Sequence, residues 1–300
     1  MAVRSGRRRA DRRRGLVGGP PSAVTGALIR ALADGAAIVT LGLAAVPLLE
    51  SDRYRDEVSR RAAGPMALAA ALWLLAEIVR LAVSGAQTAG VGFWQMGVRT
   101  LTDFALHTAA GRSGLVAIAA ALIVGVAAVL TPRRGAATAT TVGLAAVGLV
   151  ARTLAGHLSE SPIGGTAVAV HALAAAVWCG VLAALVLTVA HRGQWARVLP
   201  RFSQLSLWCV GVLLVAGVSG AVIKLSSPAE LWTTGYGRVL AAKIAVTVAL
   251  LALAWRNRSR WLPAARAHRS SAALSQNRSL AELGMMAVAV TLAAALAVTG

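Results

Sequence analysis

The chain has 300 residues, 57% of them hydrophobic, and a mean hydropathy of +0.70. Soluble domains balance apolar and charged residues more evenly, so this composition excludes one and points to an intramembrane core. The formal charge of +19 comes mostly from arginine; outside the N-terminal tail the arginines fall mainly between apolar runs, where they set membrane orientation and argue against a nucleic-acid partner.

Residues 1–21 form a basic tail, with Arg4, Arg7–Arg9 and Arg12–Arg14 followed by Gly18-Gly19-Pro20-Pro21. Such a segment is expected to be disordered. A signal peptide is the competing reading, but no clear small-residue cleavage site follows and the next apolar run is of full length, so a retained helix is expected.

Eight long apolar runs follow, at about 23–49, 66–84, 113–131, 137–156, 166–190, 203–224, 238–255 and 281–299. Each approaches the ~20 residues needed to cross ~30 Å of hydrocarbon. Alanine, valine, leucine and glycine dominate, and small residues suit close helix packing in lipid. The last run ends flush with the chain, from which a longer parent sequence is expected.

Segment 91–111 is amphipathic instead, with Phe93, Trp94, Gln95, Met96, Arg99, Asp103, Phe104 and His107. It is read as a helix at the interface that folds back over the bundle. As a ninth span it would put Arg99 and Asp103 near mid-membrane. The predicted fold is therefore all-α: a polytopic transmembrane bundle of about eight helices plus one interfacial helix, forming one domain over 22–300.

Loop charges set the orientation. If the turn after His157 faces outward, the inner loops 50–65, 131–136, 191–202 and 256–280 hold fifteen arginines, and the outer loops hold only Arg99, Arg112, Lys224 and Arg238. The bias places His157 outside. Eight spans put the basic tail outside too, against the rule; a ninth span would put it inside. The last five helices keep their orientation either way.

Ionisable groups inside a bilayer default to functional hypotheses. Here they are Arg30, Asp34, Glu77, Arg80, Arg152, His157, His171, Lys224, Lys243 and Glu282. Arg30/Asp34 and Glu77/Arg80, at i,i+4 and i,i+3, can neutralise each other along one helix. Lys224 can snorkel to the interface. Glu282, near the inner surface, is expected to be wet. Cys179 and Cys209 lie inside apolar runs and are expected to be small buried hydrophobes.

The histidines are harder to dismiss. His191 and His268 fall in basic inner loops. His107, His157 and His171 fall in the outer third, and a short turn makes the helices of His157 and His171 antiparallel neighbours. His171 should lie about 7–8 Å below the start of its helix, at 1.5 Å per residue. Imidazole suits copper and zinc, and thioether sulfur suits Cu(I), so Met96 is a further candidate on the same side. Trp178, seven residues after His171, shares its helix face and can wall the site. Structural histidines bonding between helices are the alternative, and axial haem ligation is another. No Walker loop, dinucleotide fingerprint, HExxH or nucleophile elbow occurs, so no enzyme is expected.

Gly156-His157, then His171 followed by Trp178 and Gly180, resembles the copper-resistance protein D family. So do Arg201-Phe202-Ser203, Ser219-Gly220, Tyr236-Gly237, Lys243 and Asn257-Arg258. The likeness covers residues 150–285, with weaker echoes in Leu28-Ile29-Arg30 and Thr108–Gly111. It implies an eight-helix inner-membrane protein, N-terminus outside, taking part in copper uptake or delivery. It implies copper ligation by His157 and His171, assisted by His107 or Met96, with Trp178, Lys243, Glu77, Arg80 and Arg30 in support. It implies as partners an extracytoplasmic copper-binding protein or oxidase assembly factors, since actinobacterial relatives often carry a fused CtaG-type domain of cytochrome c oxidase assembly. Many members carry a histidine one turn after the first-helix arginine. Here Ala31-Leu32-Ala33-Asp34 stands instead, leaving Asp34 as the substitute oxygen ligand. A non-transporting scaffold and a haem-binding electron carrier are the competing functions.

Overall fold

The computed structural model describes residues 23–130, 136–154, 162–224, 227, 229–261, 263 and 271–299. Its described elements are helices and turns, without strands. Helix α1 (Ala23–Ala45) runs into a short 3-10 turn, Val46–Leu49, with Pro47 near its start. Helix α2 (Asp52–Ala89) ends at Gly90, whose left-handed φ of 67° lets its N–H reach the carbonyls of Ala86 and Gln87. Helix α3 (Val98–His107) precedes α4 (Ala109–Leu130) and α5 (Ala136–Leu154). Helices α6 (Pro162–Thr188), α7 (Arg192–Lys224), α8 (Gly235–Arg256) and α9 (Ala272–Thr299) complete the bundle.

Among the described residues seven helices are long and apolar enough to cross a membrane: α1, α2 and α4 to α8. The eighth long helix, α9, carries Arg278 and Glu282 in its first half. The all-α bundle read from sequence is thus present, with seven of the eight runs in helices that qualify as spans and the eighth within α9. Helix α3 is the amphipathic extra: ten residues reach about 15 Å, half the hydrocarbon thickness. It buries Phe104 and Ala105 against Leu81 of α2. Thr108 is extended, breaking the chain between α3 and α4, and its Oγ1 accepts from the Gly111 N–H at 2.9 Å.

Two expected loops are corrected. Residues 52–65 are the first turns of α2, and 192–202 are the first turns of α7. Arg, Glu and Ala are good helix formers, so these charged segments continue their helices beyond the apolar span rather than unwinding. Pro65 and Pro200 lie inside α2 and α7, near where charged sequence gives way to apolar.

Helix α1 is central. It packs against α2, α5, α6 and α9, while α8 packs mainly on α9. The crossing of α1 and α6 is backbone on backbone. A Cβ on Gly42 would collide with the Gly180 carbonyl, and one on Gly180 with the carbonyl of Ile38. Lipid offers helices no hydrophobic drive to associate, so such close approach supplies the dispersion contact. Leu41, Leu43, Met66, Leu182 and Leu185 fill the core around it. Cys179 and Cys209 are buried and unbridged, as expected.

The end of the bundle that holds the α1–α2 connection is clasped by charge. Glu50, 1% exposed, accepts from Arg197 Nε and Nη2 at 3.1 and 3.0 Å. Arg197 also stacks 4.1 Å over the Tyr54 ring, and Arg201 donates to the Leu49 carbonyl at 2.8 Å. Arg197→Ala would leave the Glu50 carboxylate buried without its charged partner, with only the Ser51 N–H at 3.1 Å still donating to it. We expect a loss of about 2 kcal/mol, at the low end for a broken buried pair because Arg197 is partly exposed. Thermal unfolding in detergent measures it, and adding Glu50→Gln should recover most of the loss.

Candidate functional site

Six of the bundle's long helices, together with α2, enclose an intramembrane cavity of about 330 Å³. Arg30 and Asp34 come from α1, Arg80 from α2, Arg152 from α5, His171 and Trp178 from α6, Leu213 from α7, Lys243 from α8 and Met286 from α9. Apart from Thr153, Thr247 and Cys179, apolar residues form the rest of the wall, so the charged groups meet in a setting of low dielectric.

His171 is placed deeper than its sequence position indicated. Helix α6 begins at Pro162, four residues earlier than the apolar run, with proline in the first turn, where its missing N–H costs nothing. His171 therefore lies about 14 Å along the axis from the helix start. Its Nδ1 is 3.2 Å from the Leu213 carbonyl of α7. A carbonyl only accepts, so Nδ1 carries the proton and Nε2 keeps its lone pair. That is the tautomer in which imidazole ligates a metal, with the second nitrogen held by a backbone oxygen.

The charges form one network across three helices. Arg152 donates to Glu77 Oε2 from both Nε, at 2.9 Å, and Nη2. Arg80 Nη1 donates to Glu77 Oε1 at 3.4 Å and to Asp34 Oδ1 at 3.3 Å. Arg30 Nε lies 3.9 Å from Asp34 Oδ2. The local pairs read from spacing exist, but the tightest contact is the cross-helix pair of Glu77 with Arg152. Each carboxylate is shared between two arginines, which lowers the cost of burying these charges without cancelling it.

The predicted site residues separate into groups. His171, Trp178, Asp34, Arg30, Arg80 and Lys243 line the one cavity, while Glu77 stands behind Arg80 and Arg152. Asp34 is engaged by two arginines, so any metal at its oxygens competes with them. His107 and Met96 do not line the cavity. His107 sits on the exposed side of α3 with Nδ1 3.2 Å from the Asp103 carbonyl. Met96 packs over Gly85, where a Cβ would meet its Sδ at 3.3 Å. His157 lies outside the described residues. Among the described residues no group of three or more His, Cys, Asp and Glu could hold a metal ion.

Sequence reading passed over the place of Arg152 in the cavity; its only signal was an arginine near the end of an apolar run. It also misjudged Glu282. That side chain is 3% exposed and accepts from Asn257 Nδ2 at 2.9 Å; Asn257 opens the π-helical segment Asn257–Trp261 that continues α8.

Residues 22–162 match the family model described as copper resistance protein D-like, N-terminal domain. Residues 196–298 match the one described as copper resistance protein D. Comparison with curated proteins and with solved structures gave no match.

Proposed function

Because the chain belongs to the copper resistance protein D family, we propose that it carries or delivers copper across the plasma membrane, taking the metal from the outer face through His157 and His171. Its helices make it a multi-pass membrane protein, and its family ties it to copper resistance and homeostasis. The observation that carries the finer reading is His171: an intramembrane imidazole whose Nδ1 is committed to Leu213, with Nε2 free to bind. The described cavity supplies this one imidazole; His157, in the segment between α5 and α6, is the second histidine of the proposed path. Copper is here a cargo, and a site with few ligands suits release.

Copper uptake into proteoliposomes tests the proposal. Wild-type protein is expected to admit copper, and the His157→Ala/His171→Ala double variant to lose most of that rate. Uptake by the double variant at the wild-type rate would remove both histidines from the path. A protein that served only as a scaffold for oxidase copper-site assembly would show no uptake in either form. A haem carrier would show a Soret band in the purified protein; the copper reading expects none.

A further inference from the structure

The charges around the cavity do not balance. Arg30, Arg80, Arg152 and Lys243 line it, and among the described lining residues Asp34 is the one carboxylate. Glu77 adds a second negative charge from behind Arg80 and Arg152, with 3% of its side chain exposed. Four cations set against two carboxylates leave an excess of two positive charges.

Both carboxylates are already taken. Glu77 is held by Arg152 and Arg80, and Asp34 by Arg80 at 3.3 Å and Arg30 at 3.9 Å. Among the described residues Lys243 has no carboxylate within ion-pair reach, and Arg30 has only the longest of these contacts. Trp178, on the same wall, is 5% exposed, and its Nε1–H finds no acceptor. The unmatched groups are an ammonium, a guanidinium and an indole N–H, all of them donors with no accepting capacity. Donors away from water need an acceptor, and charged ones favour an ionised acceptor. A bare copper ion would instead add like charge to the excess.

We propose that the cavity binds a small anion, a halide or an anionic oxygen group, held by Lys243 and Arg30. The inference concerns the same cavity as the copper reading and rests on it only for what the anion accompanies: copper at His171 would be bound with a negative counter-ligand rather than alone. A free inorganic anion and the phosphate of an anionic lipid offer the same chemistry.

Calorimetry on copper-free, delipidated protein in detergent tests this. Chloride and inorganic phosphate are titrated in turn, and phosphatidylglycerol nanodiscs form a separate arm. Saturable binding is expected with wild-type protein, weakened about tenfold or more in Lys243→Met and kept in Lys243→Arg and His171→Ala. Binding seen only with phosphatidylglycerol supports an anion site and assigns it to a lipid phosphate. Absence of saturable binding in all arms, or equal binding in Lys243→Met, overturns the proposal. Copper retention measured on the same His171→Ala protein keeps the two readings apart. Unchanged copper retention removes the copper site while the chloride result stands, and the reverse pattern removes the anion alone.

Discussion

Glu77→Ala is expected to cost about 3–5 kcal/mol of stability, the range for removing one partner of a buried ion pair. The size follows from what is left behind. Glu77 is 2% exposed and is the main counter-charge for Arg152, whose side chain is 10% exposed. Without it, Arg152 and Arg80 face each other across a wall of low dielectric, with Asp34 alone to share. Reversible unfolding in mixed micelles measures the loss. The double variant Glu77→Gln/Arg152→Gln should be less destabilised than Glu77→Ala, because it removes the orphaned charge with its partner. A Glu77→Ala protein within about 1 kcal/mol of wild type would mean that water or lipid headgroups reach these arginines.

The second large effect is steric. Gly180→Leu should prevent assembly of the bundle, at a cost of about 3 kcal/mol or more. Its added Cβ would already overlap the Ile38 carbonyl, and backbone cannot turn aside as a side chain can. Gly42→Leu meets the same obstacle from α1. Gly143 of α5 has open space where its Cβ would be, so Gly143→Ala is the matched control. Size-exclusion profiles after membrane extraction should show a lost monodisperse peak for the first two and a wild-type peak for the control. A Gly180→Leu protein with wild-type yield and melting behaviour would mean that α1 and α6 do not cross so closely.

These two predictions rest on features that differ in how far the sequence showed them. The eight apolar runs and the amphipathic character of 91–111 were legible because hydropathy reports directly on lipid contact, although the helix within that segment covers only Val98–His107. His171 and Trp178 were legible as a pair because seven residues return to one helix face, and both line the cavity. The central ion pair was not. Spacing shows that Glu77 and Arg80 can meet on one helix, but it carries nothing about Arg152, seventy-five residues away and brought in by the packing of α5. Glu282 was misplaced for a related reason. Its burial comes with the packing of α8 on α9, which brings Asn257 to it from twenty-five residues away and which no local pattern announces. The charged first turns of α2 and α7 were taken for loops because loss of apolar character marks the edge of the lipid, not the end of the helix.

Asp34 shows the same limit at the site itself. In sequence it stands where relatives are expected to carry a histidine, and an oxygen ligand was the natural substitute. In the fold its two oxygens serve Arg80 and Arg30. Its place in the cavity is therefore as a counter-charge that fixes two arginines, and His171 is left as the imidazole with a free lone pair.

Copper retention by purified protein, compared between wild type and His171→Ala, bears most directly on the copper reading. Both proteins are loaded with copper, passed through a desalting column and analysed for metal per chain. The account predicts that wild-type protein keeps about one copper and that His171→Ala binds it more than about 100-fold more weakly, beyond the roughly 10–100-fold typical for loss of an outer partner alone. Equal retention by the two proteins, with His171→Ala still folded, would contradict it.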